Sequence, residues 1–261
     1  MNLDDIVPFV LTRDEAANIG RTLDGLCWAK EVIVLDSGSS DSTQEIATRY
    51  PNVRWHYREF DSHSAQCNHV LTELCPESPW VRSLDADYVM PRQMVEEIEL
   101  LKVADDVAGI SSGFVYCIDG VALRGGIYPD RVVLFRPASA HYVQVGHTQV
   151  LRVPGDIVRL RSKLLHDDRK PVQYFLRNQR RYAALEVRWL WSQRWIDLPW
   201  SGRARRLLVI APWLVPLIVL VARGGLLDGR AGLRYALERG WAESLLAWEL
   251  GKKMLFRNSD Q

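Results

Sequence analysis

Residues 6–36 read IVPFVLTRDEAANIGRTLDGLCWAKEVIVLD, and this stretch decides the fold class. Ile6 to Leu11 is a strand-like apolar run, apolar residues then recur at helical spacing from about Ala16 to Leu26, and Val32 to Leu35 is apolar again. This is a βαβ rhythm. It continues outward with a helix opened by the Ser/Asp cluster near Asp41, a strand at Val53 to Tyr57 and a helix across Ser64 to Leu74. A short strand from Trp80 to Leu84 follows, and Pro91 sits where a further helix starts. Strands separated by helices imply a parallel, doubly wound α/β sheet, which binds ligands in the crevice beyond the carboxyl ends of its strands. After Ala108 the runs Gly109 to Ile118 and Arg131 to Phe135 flank a loop with Gly125, Gly126 and Pro129, so the sheet is expected to extend as a mixed one.

A chain of 261 residues that is 48% hydrophobic and 25% charged can bury one substantial core with a small appendage, which excludes a disordered chain. The start, Met1-Asn2-Leu3-Asp4-Asp5, is acidic and has no basic, then apolar, leader pattern, so no signal peptide is expected. Cys27, Cys67, Cys75 and Cys117 lack any C-x-x-C pairing and read as small apolar residues in a reduced compartment.

The net charge of +1 conceals a bipolar chain. Residues 1–110 hold 9 Lys/Arg against 20 Asp/Glu, a balance of −11, whereas residues 152–206 hold 14 against 5, a balance of +9. A basic segment faces nucleic acid, phosphorylated ligands or an anionic leaflet. Here it contains a long basic, aromatic helix from Pro171 and is followed by Leu207 to Ala222, 16 residues without a charge, and then an amphipathic helix from about Gly232 to Met254. Seven of the ten tryptophans fall in this last third among arginines, an interfacial composition. The apolar run is shorter than the roughly 20 residues that span a bilayer, and Pro212 and Pro216 interrupt it. The expectation is a monotopic or re-entrant anchor, with Arg203, Arg205, Arg206 and Arg223 at headgroup level, and no nucleic-acid partner.

Two polar clusters fall at strand ends. In Ser83-Leu84-Asp85-Ala86-Asp87, two carboxylates one residue apart can grip one hard divalent cation, whether they point together from extended backbone or splay around a turn. In Asp36-Ser37-Gly38-Ser39-Ser40-Asp41, small residues let backbone approach a ligand, Asp41 can cap the next helix and Asp36 can accept from a base or ribose.

Together with Leu11-Thr12-Arg13-Asp14-Glu15, these clusters resemble glycosyltransferase family 2, in the branch that acts on lipopolysaccharide core and other surface glycans. The resemblance spans about Val7 to Tyr182 and continues through Leu226-Leu227-Asp228-Gly229-Arg230-Ala231-Gly232. It implies a GT-A-like fold, with residues 1–200 as the catalytic domain and 201–261 as a helical, membrane-associating extension. About 1–105 would bind the nucleotide sugar and about 106–200 the acceptor. By the same resemblance Thr12 and Glu15 hold the nucleotide, Asp36 reads a uracil-like base, Gln66 and Asn68 lie on the nucleotide side, and Asp85 and Asp87 bind the metal, Mg²⁺ or Mn²⁺. The implied activity is an inverting, metal-dependent transfer from a nucleoside diphosphate sugar, a UDP-sugar, to a lipid-linked or lipopolysaccharide-type acceptor. The site of action would be the inner face of the cell membrane, and a homo-oligomer is left open.

Ser37 stands where many relatives have a second Asp, and Tyr88 follows the paired carboxylates where Glu is usual in this branch. Instead of an acceptor-side His-Glu or Glu-Asp pair, the chain has Gly146-His147-Thr148-Gln149. An inverting transfer needs a group to deprotonate the acceptor hydroxyl. The candidates are Asp167 and Asp168 in His166-Asp167-Asp168-Arg169-Lys170, then His147, then Asp130. Arg169 and Lys170 are placed to stabilise a departing diphosphate. Two other readings stand beside this one: a nucleotidyltransferase, for which Thr12 to Glu15 is poor in glycine, and a nucleotide-sugar-binding membrane scaffold without turnover.

Overall fold

The structure is a computed structural model that describes residues 1–75, 77–145 and 148–257. His147, one of the candidate bases, lies outside the described residues. The chain divides into two compact units. Residues 1–122, 128–144 and 149–169 form the first, and the second holds Leu123–Ile127 and the chain from Lys170 onward.

The first unit begins with β1 (Ile6–Thr12), α1 (Ile19–Asp24), β2 (Val32–Asp36), α2 (Thr43–Ala47) and β3 (Val53–Tyr57). It continues through α3 (His63–His69), β4 (Trp80–Asp85), β5 (Tyr88–Val89), α4 (Arg92–Leu100), β6 (Val107–Ile118), β7 (Val121–Ala122) and β8 (Arg131–Phe135). Strands β9 (His141–Val145) and β10 (Thr148–Arg152) pair with each other, and β11 (Asp156–His166) closes the series. The main sheet has the order β3-β2-β1-β4-β8-β6-β11-β5, with β7 paired to β6. Strands β1 to β4 are parallel, β8 is antiparallel to both its neighbours, and β11 returns parallel to β6. The expected mixed α/β sheet is therefore present.

Parallel strands covered on both faces read as continuous apolar runs, and β2 does from Val32 to Leu35, with its last residue, Asp36, buried as well. Val32 and Val34 point into one core with Ile6, Val10, Trp80 and Leu84, while Ile33 and Leu35 point into the other with Phe9, Val81 and Phe135. Arg82 on β4 is fully buried with its Nη2 3.1 Å from the Met94 sulfur, and burial lowers its pKa to about 10.

Two local departures from the sequence reading have physical causes. The helix expected from about Ala16 is shorter, because Asp14 takes a left-handed φ of 52° and the chain turns before Ile19. The basic stretch after Arg152 contains a strand, β11, that pairs with β6 from Ile157↔Gly109 to His166↔Tyr116. Its arginines and lysine at 159, 161 and 163 alternate with Val158, Leu160 and Leu164, a period of two that a charge count hides.

The second unit consists of α5 (Val172–Ser192), α6 (Trp200–Arg206), α7 (Ala211–Leu217) and α8 (Gly229–Arg257). Ala183, Val187 and Leu190 of α5 pack with Leu198, Leu246 and Leu250 in a separate core. Arg205 is held between Glu243 at 2.6 Å and Glu186 at 3.3 Å. The uncharged run does not form one helix: Pro212 opens α7, Pro216 lies within it, and a π-helical turn carries it to Ala222. No single helix among the described residues is long and apolar enough to cross a membrane, although Ala211–Ala222 and Gly225–Leu255 pass together as a pair bent by 74°. Leu233, Leu237, Trp241 and Trp248 recur at helical spacing on α8 and are all exposed, as is Trp213 of α7.

Separate cores predict separate responses to truncation. Phe9→Ala should cost the first unit about 3–5 kcal/mol and Leu250→Ala the second about 2–5 kcal/mol. Hydrogen exchange in urea checks this: Phe9→Ala should release amides of β1 to β4 while sparing α8, and loss spread evenly over both would contradict the division.

Candidate active site

The registers of the central strands bring the strand-end clusters together. Thr12 stands beside Asp36 across β1 and β2, and Leu11 stands beside Asp85 across β1 and β4. Three of the expected nucleotide- and metal-binding residues thus occupy neighbouring carboxyl ends of one parallel sheet. The loops beyond them are laced to one another. Asp14 N–H donates to Ser39 Oγ at 2.9 Å, Glu15 N–H to Thr43 Oγ1 at 2.8 Å and Ala16 N–H to Asp41 Oδ2 at 3.1 Å. Asp36, buried, accepts at Oδ2 from the Gly38 and Ser39 amides, both at 2.9 Å, and Gly38 supplies the φ of +92° that this turn requires.

Thr12 ends β1 with its hydroxyl buried and without a hydrogen-bond partner among the described residues. An unpaired buried hydroxyl at a sheet crevice suits a polar ligand. Gln66 donates to the Glu59 carbonyl at 2.8 Å, and its own carbonyl oxygen is likewise buried without a partner among the described residues. Asn68 uses both ends of its amide on Tyr142, donating to the carbonyl at 2.9 Å and accepting from the N–H at 2.7 Å, and so ties α3 to β9.

After Asp85 the chain turns through Ala86 and Asp87 into β5, which pairs antiparallel with β11 so that Tyr88 stands beside His166. His166 Nε2 lies 3.1 Å from Asp87 Oδ2. Burial drives an imidazole toward neutrality, but the charge of Asp87, with Asp85 and Asp168 behind it, prevails and raises the His166 pKa. Aromatic rings enclose it: Tyr116, Tyr128 and Tyr88 lie 4.8, 5.0 and 5.1 Å from it, centroid to centroid. The hydroxyls of Tyr88 and Tyr128 are 2.7 Å apart, and Arg131 lies over the Tyr128 ring at 5.1 Å. No group of three or more His, Cys, Asp or Glu side chains among the described residues is arranged to hold a metal ion. The donor set at hand is two carboxylates with an imidazole against one of them, which suits Mg²⁺ or Mn²⁺ if a ligand completes the shell with oxygen.

A second cluster lies where β11 ends, and it gathers residues that the sequence presents far apart. Asp167 N–H donates to the Asp87 carbonyl at 3.0 Å, so the two turns are joined. The Asp167 carboxylate is gripped by Arg21 at 2.6 Å and by Arg169 Nε at 2.8 and 2.9 Å. Asn18, buried, donates through one amide nitrogen to both Glu15 Oε2 and Asp168 Oδ1 at 2.8 Å, while its oxygen accepts from Arg169 N–H and Arg21 Nη2. Asp130 is elsewhere engaged, in a surface pair with Arg159 at 2.5 Å. Asn18 and Arg21 were not singled out by sequence, and His166 was quoted only as the start of the His166–Lys170 run. The one available signal was the spacing of Asn18 and Arg21, three apart on the helix that follows Glu15.

Comparison with known proteins gives a match to the family described as glycosyl transferase family 2 over residues 9–148. The lipopolysaccharide core biosynthesis glycosyltransferase LpsC of Rhizobium meliloti is 28% identical over 106 residues, covering 39% of this chain and 38% of that protein. The chain thus spans about two fifths of the length of that relative. Among solved structures, S. aureus TarS 1–349 in complex with UDP-GlcNAc is 12% identical, with 95% of this chain and 91% of that one covered at a TM-score of 0.48. Glucosyl-3-phosphoglycerate synthase from Mycobacterium tuberculosis in complex with Mn²⁺, UDP and phosphoglyceric acid is 21% identical, with 42% and 43% covered at a TM-score of 0.35.

The Asp167 clamp predicts that Arg21→Met destabilises the first unit by about 1–3 kcal/mol, since a buried carboxylate loses one of two cationic partners. Chemical denaturation measures it, and an unchanged midpoint would show that Arg169 alone suffices.

Proposed function

This chain belongs to glycosyl transferase family 2, and on that premise we propose that it moves a sugar from a UDP-sugar, with inversion, onto a hydroxyl of a lipid-linked or lipopolysaccharide-type acceptor. The observation that carries the proposal is the side-by-side placement of Thr12, Asp36 and Asp85 at the carboxyl ends of β1, β2 and β4, with the Asp85–Asp87 turn beyond them. In this reading Thr12, Glu15 and Asp36 receive the nucleoside, Gln66 and Asn68 shape the wall beside it, and Asp85 and Asp87 hold a divalent cation. Such a cation, once bound, would offset charge on the diphosphate leaving group. His166, against Asp87, orients that carboxylate and is available to the same ion.

Of the two adjacent carboxylates after His166, Asp167 is committed to two guanidinium groups. The proposal therefore gives deprotonation of the acceptor to Asp168, held by Asn18, while Arg169 faces the leaving group. The acceptor class rests on the likeness to LpsC and on the second unit, whose exposed Trp213, Trp241 and Trp248 and flanking Arg223 and Arg230 suit the anionic cytoplasmic face of a membrane.

Two measurements test these assignments. Asp87→Asn should lower turnover by about 100-fold or more without unfolding the chain, and turnover that survives both this change and excess chelator would overturn the metal assignment. Flotation with phosphatidylglycerol vesicles tests the surface: the parent chain should float and the W213S/W241S/W248S variant should stay at the bottom, with UDP-sugar binding unchanged. A parent chain that ignores vesicles would remove the membrane from the proposal.

A further inference from the structure

Strand β11 does not run evenly beside β6. Arg159 pairs with Ser111 and Lys163 with Gly113, so four steps along β11 are matched by two along β6, and Leu160 to Ser162 stand opposite the single Ser112. A bulge leaves backbone groups of the bulged strand without partners in the ladder. Here they are met from outside the sheet. Glu97 of α4 accepts from the Arg161 N–H at Oε1, 2.7 Å, and from the Ser162 N–H at Oε2, 2.8 Å, one amide for each carboxylate oxygen. The Ser162 carbonyl in turn accepts from the buried Ser112 hydroxyl of β6 at 3.1 Å. Met94 and Ile98, both fully buried, set α4 into the core and so fix the helix that carries Glu97. Burial works against the charged form of Glu97, but the Arg161 and Ser162 bonds outweigh it and hold the pKa below the usual carboxylate value.

Because the extra residues number two, every side chain keeps its face: Leu160 in the bulge and Leu164 after it both lie in the same core. Apolar alternation, which resists a slip of one residue, therefore does not resist this slip of two. Were the bulge drawn straight, the pairing Arg159↔Ser111 would run on to set Leu164 beside Tyr116 and carry His166 two residues, about 6–7 Å, farther along the sheet. With the bulge, His166 stands beside Tyr116 on β6 and Tyr88 on β5. Its Nε2 is then 3.1 Å from Asp87 Oδ2, and Asp167 N–H reaches the Asp87 carbonyl at 3.0 Å. The two charge-assisted hydrogen bonds to Glu97 favour this register.

We propose that Glu97 is a positioning residue for the Asp85–Asp87 site: by holding Arg161 and Ser162 it sets the register of β11 that brings His166 to Asp87. All of these groups belong to the first unit. The inference rests on the reading of Asp85 and Asp87 as the donor site. A merely structural Glu97 would tie α4 to β11 and leave the turn at Asp85 to Tyr88 untouched.

The test uses the full chain as parent, E97A, E97Q, a variant lacking Arg161 and Ser162, and that deletion combined with E97A. Removing the two residues takes out the bulge and lets the pairing Arg159↔Ser111 run on directly to His166↔Tyr116, so that Glu97 has no register left to set. Hydrogen exchange by mass spectrometry and titration with UDP plus Mn²⁺ are the two readouts. E97A should raise exchange at residues 160–169 and also at 84–90, while β1 to β3 keep their protection. It should weaken UDP·Mn²⁺ binding roughly tenfold, with E97Q, which keeps one acceptor oxygen, between it and the parent. The deletion variant should bind within about threefold of the parent, and E97A should cost it nothing further. Faster exchange confined to 156–162, or an E97A loss as large in the deletion variant as in the parent, would overturn the proposal. Should the deletion variant fail to fold, or the parent bind no UDP·Mn²⁺, in which case the donor reading fails on its own, exchange of E97A at 84–90 decides the register.

Discussion

Everything at the candidate site depends on β1 lying between two parallel neighbours. Parallel pairing of β1 with β2 on one side and β4 on the other forces the three carboxyl ends to one edge, because each strand must be reached by a crossover that runs back along the sheet. The register then decides which side chains meet there. A slip of one residue would turn Thr12 and Asp36 to the opposite face and break the division of Val32, Ile33, Val34 and Leu35 between two cores, so the apolar alternation that stabilises the sheet also fixes the polar edge. The hydrogen bonds from Asp14, Glu15 and Ala16 to Ser39, Thr43 and Asp41 follow from that edge, since loops leaving adjacent parallel strands are near enough to share donors and acceptors.

The parts of this arrangement visible in the sequence are those governed by local pattern. Val53–Tyr57 and Arg131–Phe135 have the expected bounds, and β1, β2 and β4 each extend one residue further, to Thr12, Asp36 and Asp85, the polar residues that the pattern stopped short of. Charge masked the rest. Strand β11 was hidden because three of its residues are cationic, and it is this strand that delivers His166 to Asp87 and Asp167 to Arg21. Pairings between Asn18 and Asp168, or between Tyr88 and Tyr128, join residues far apart in the chain, and no periodicity of one segment encodes its partner in another. Proline had a legible effect in the second unit, where Pro212 and Pro216 predicted an interrupted apolar run and the helices are broken there. Likewise, nothing local in Leu226-Leu227-Asp228-Gly229 says that the Asp228 carboxylate accepts from the backbone amides of Arg124 and Gly125.

The crowding of carboxylates at this edge sets an electrostatic condition on whatever binds. Glu15, Asp36, Asp85, Asp87, Asp167 and Asp168 come from four separate stretches of chain, and like charges so gathered raise each other's energy unless cations or donors offset them. The protein supplies part of the offset: Arg21 and Arg169 on Asp167, Asn18 on Glu15 and Asp168, and backbone amides on Asp36. Asp87 has His166, whose pKa is raised by that very neighbour, and Arg131 over the Tyr128 ring feels the charge of Asp85. For an anionic diphosphate to enter beside the paired carboxylates, as the proposed reaction requires, the negative charge at that turn has to be offset. A divalent cation held by Asp85 and Asp87 would supply that offset. The network around Asp167 adds to the same logic from the other side: both oxygens of its carboxylate accept from Arg169 Nε just past the end of β11, and in the proposed reaction a guanidinium held in this way would meet departing charge with little reorganisation.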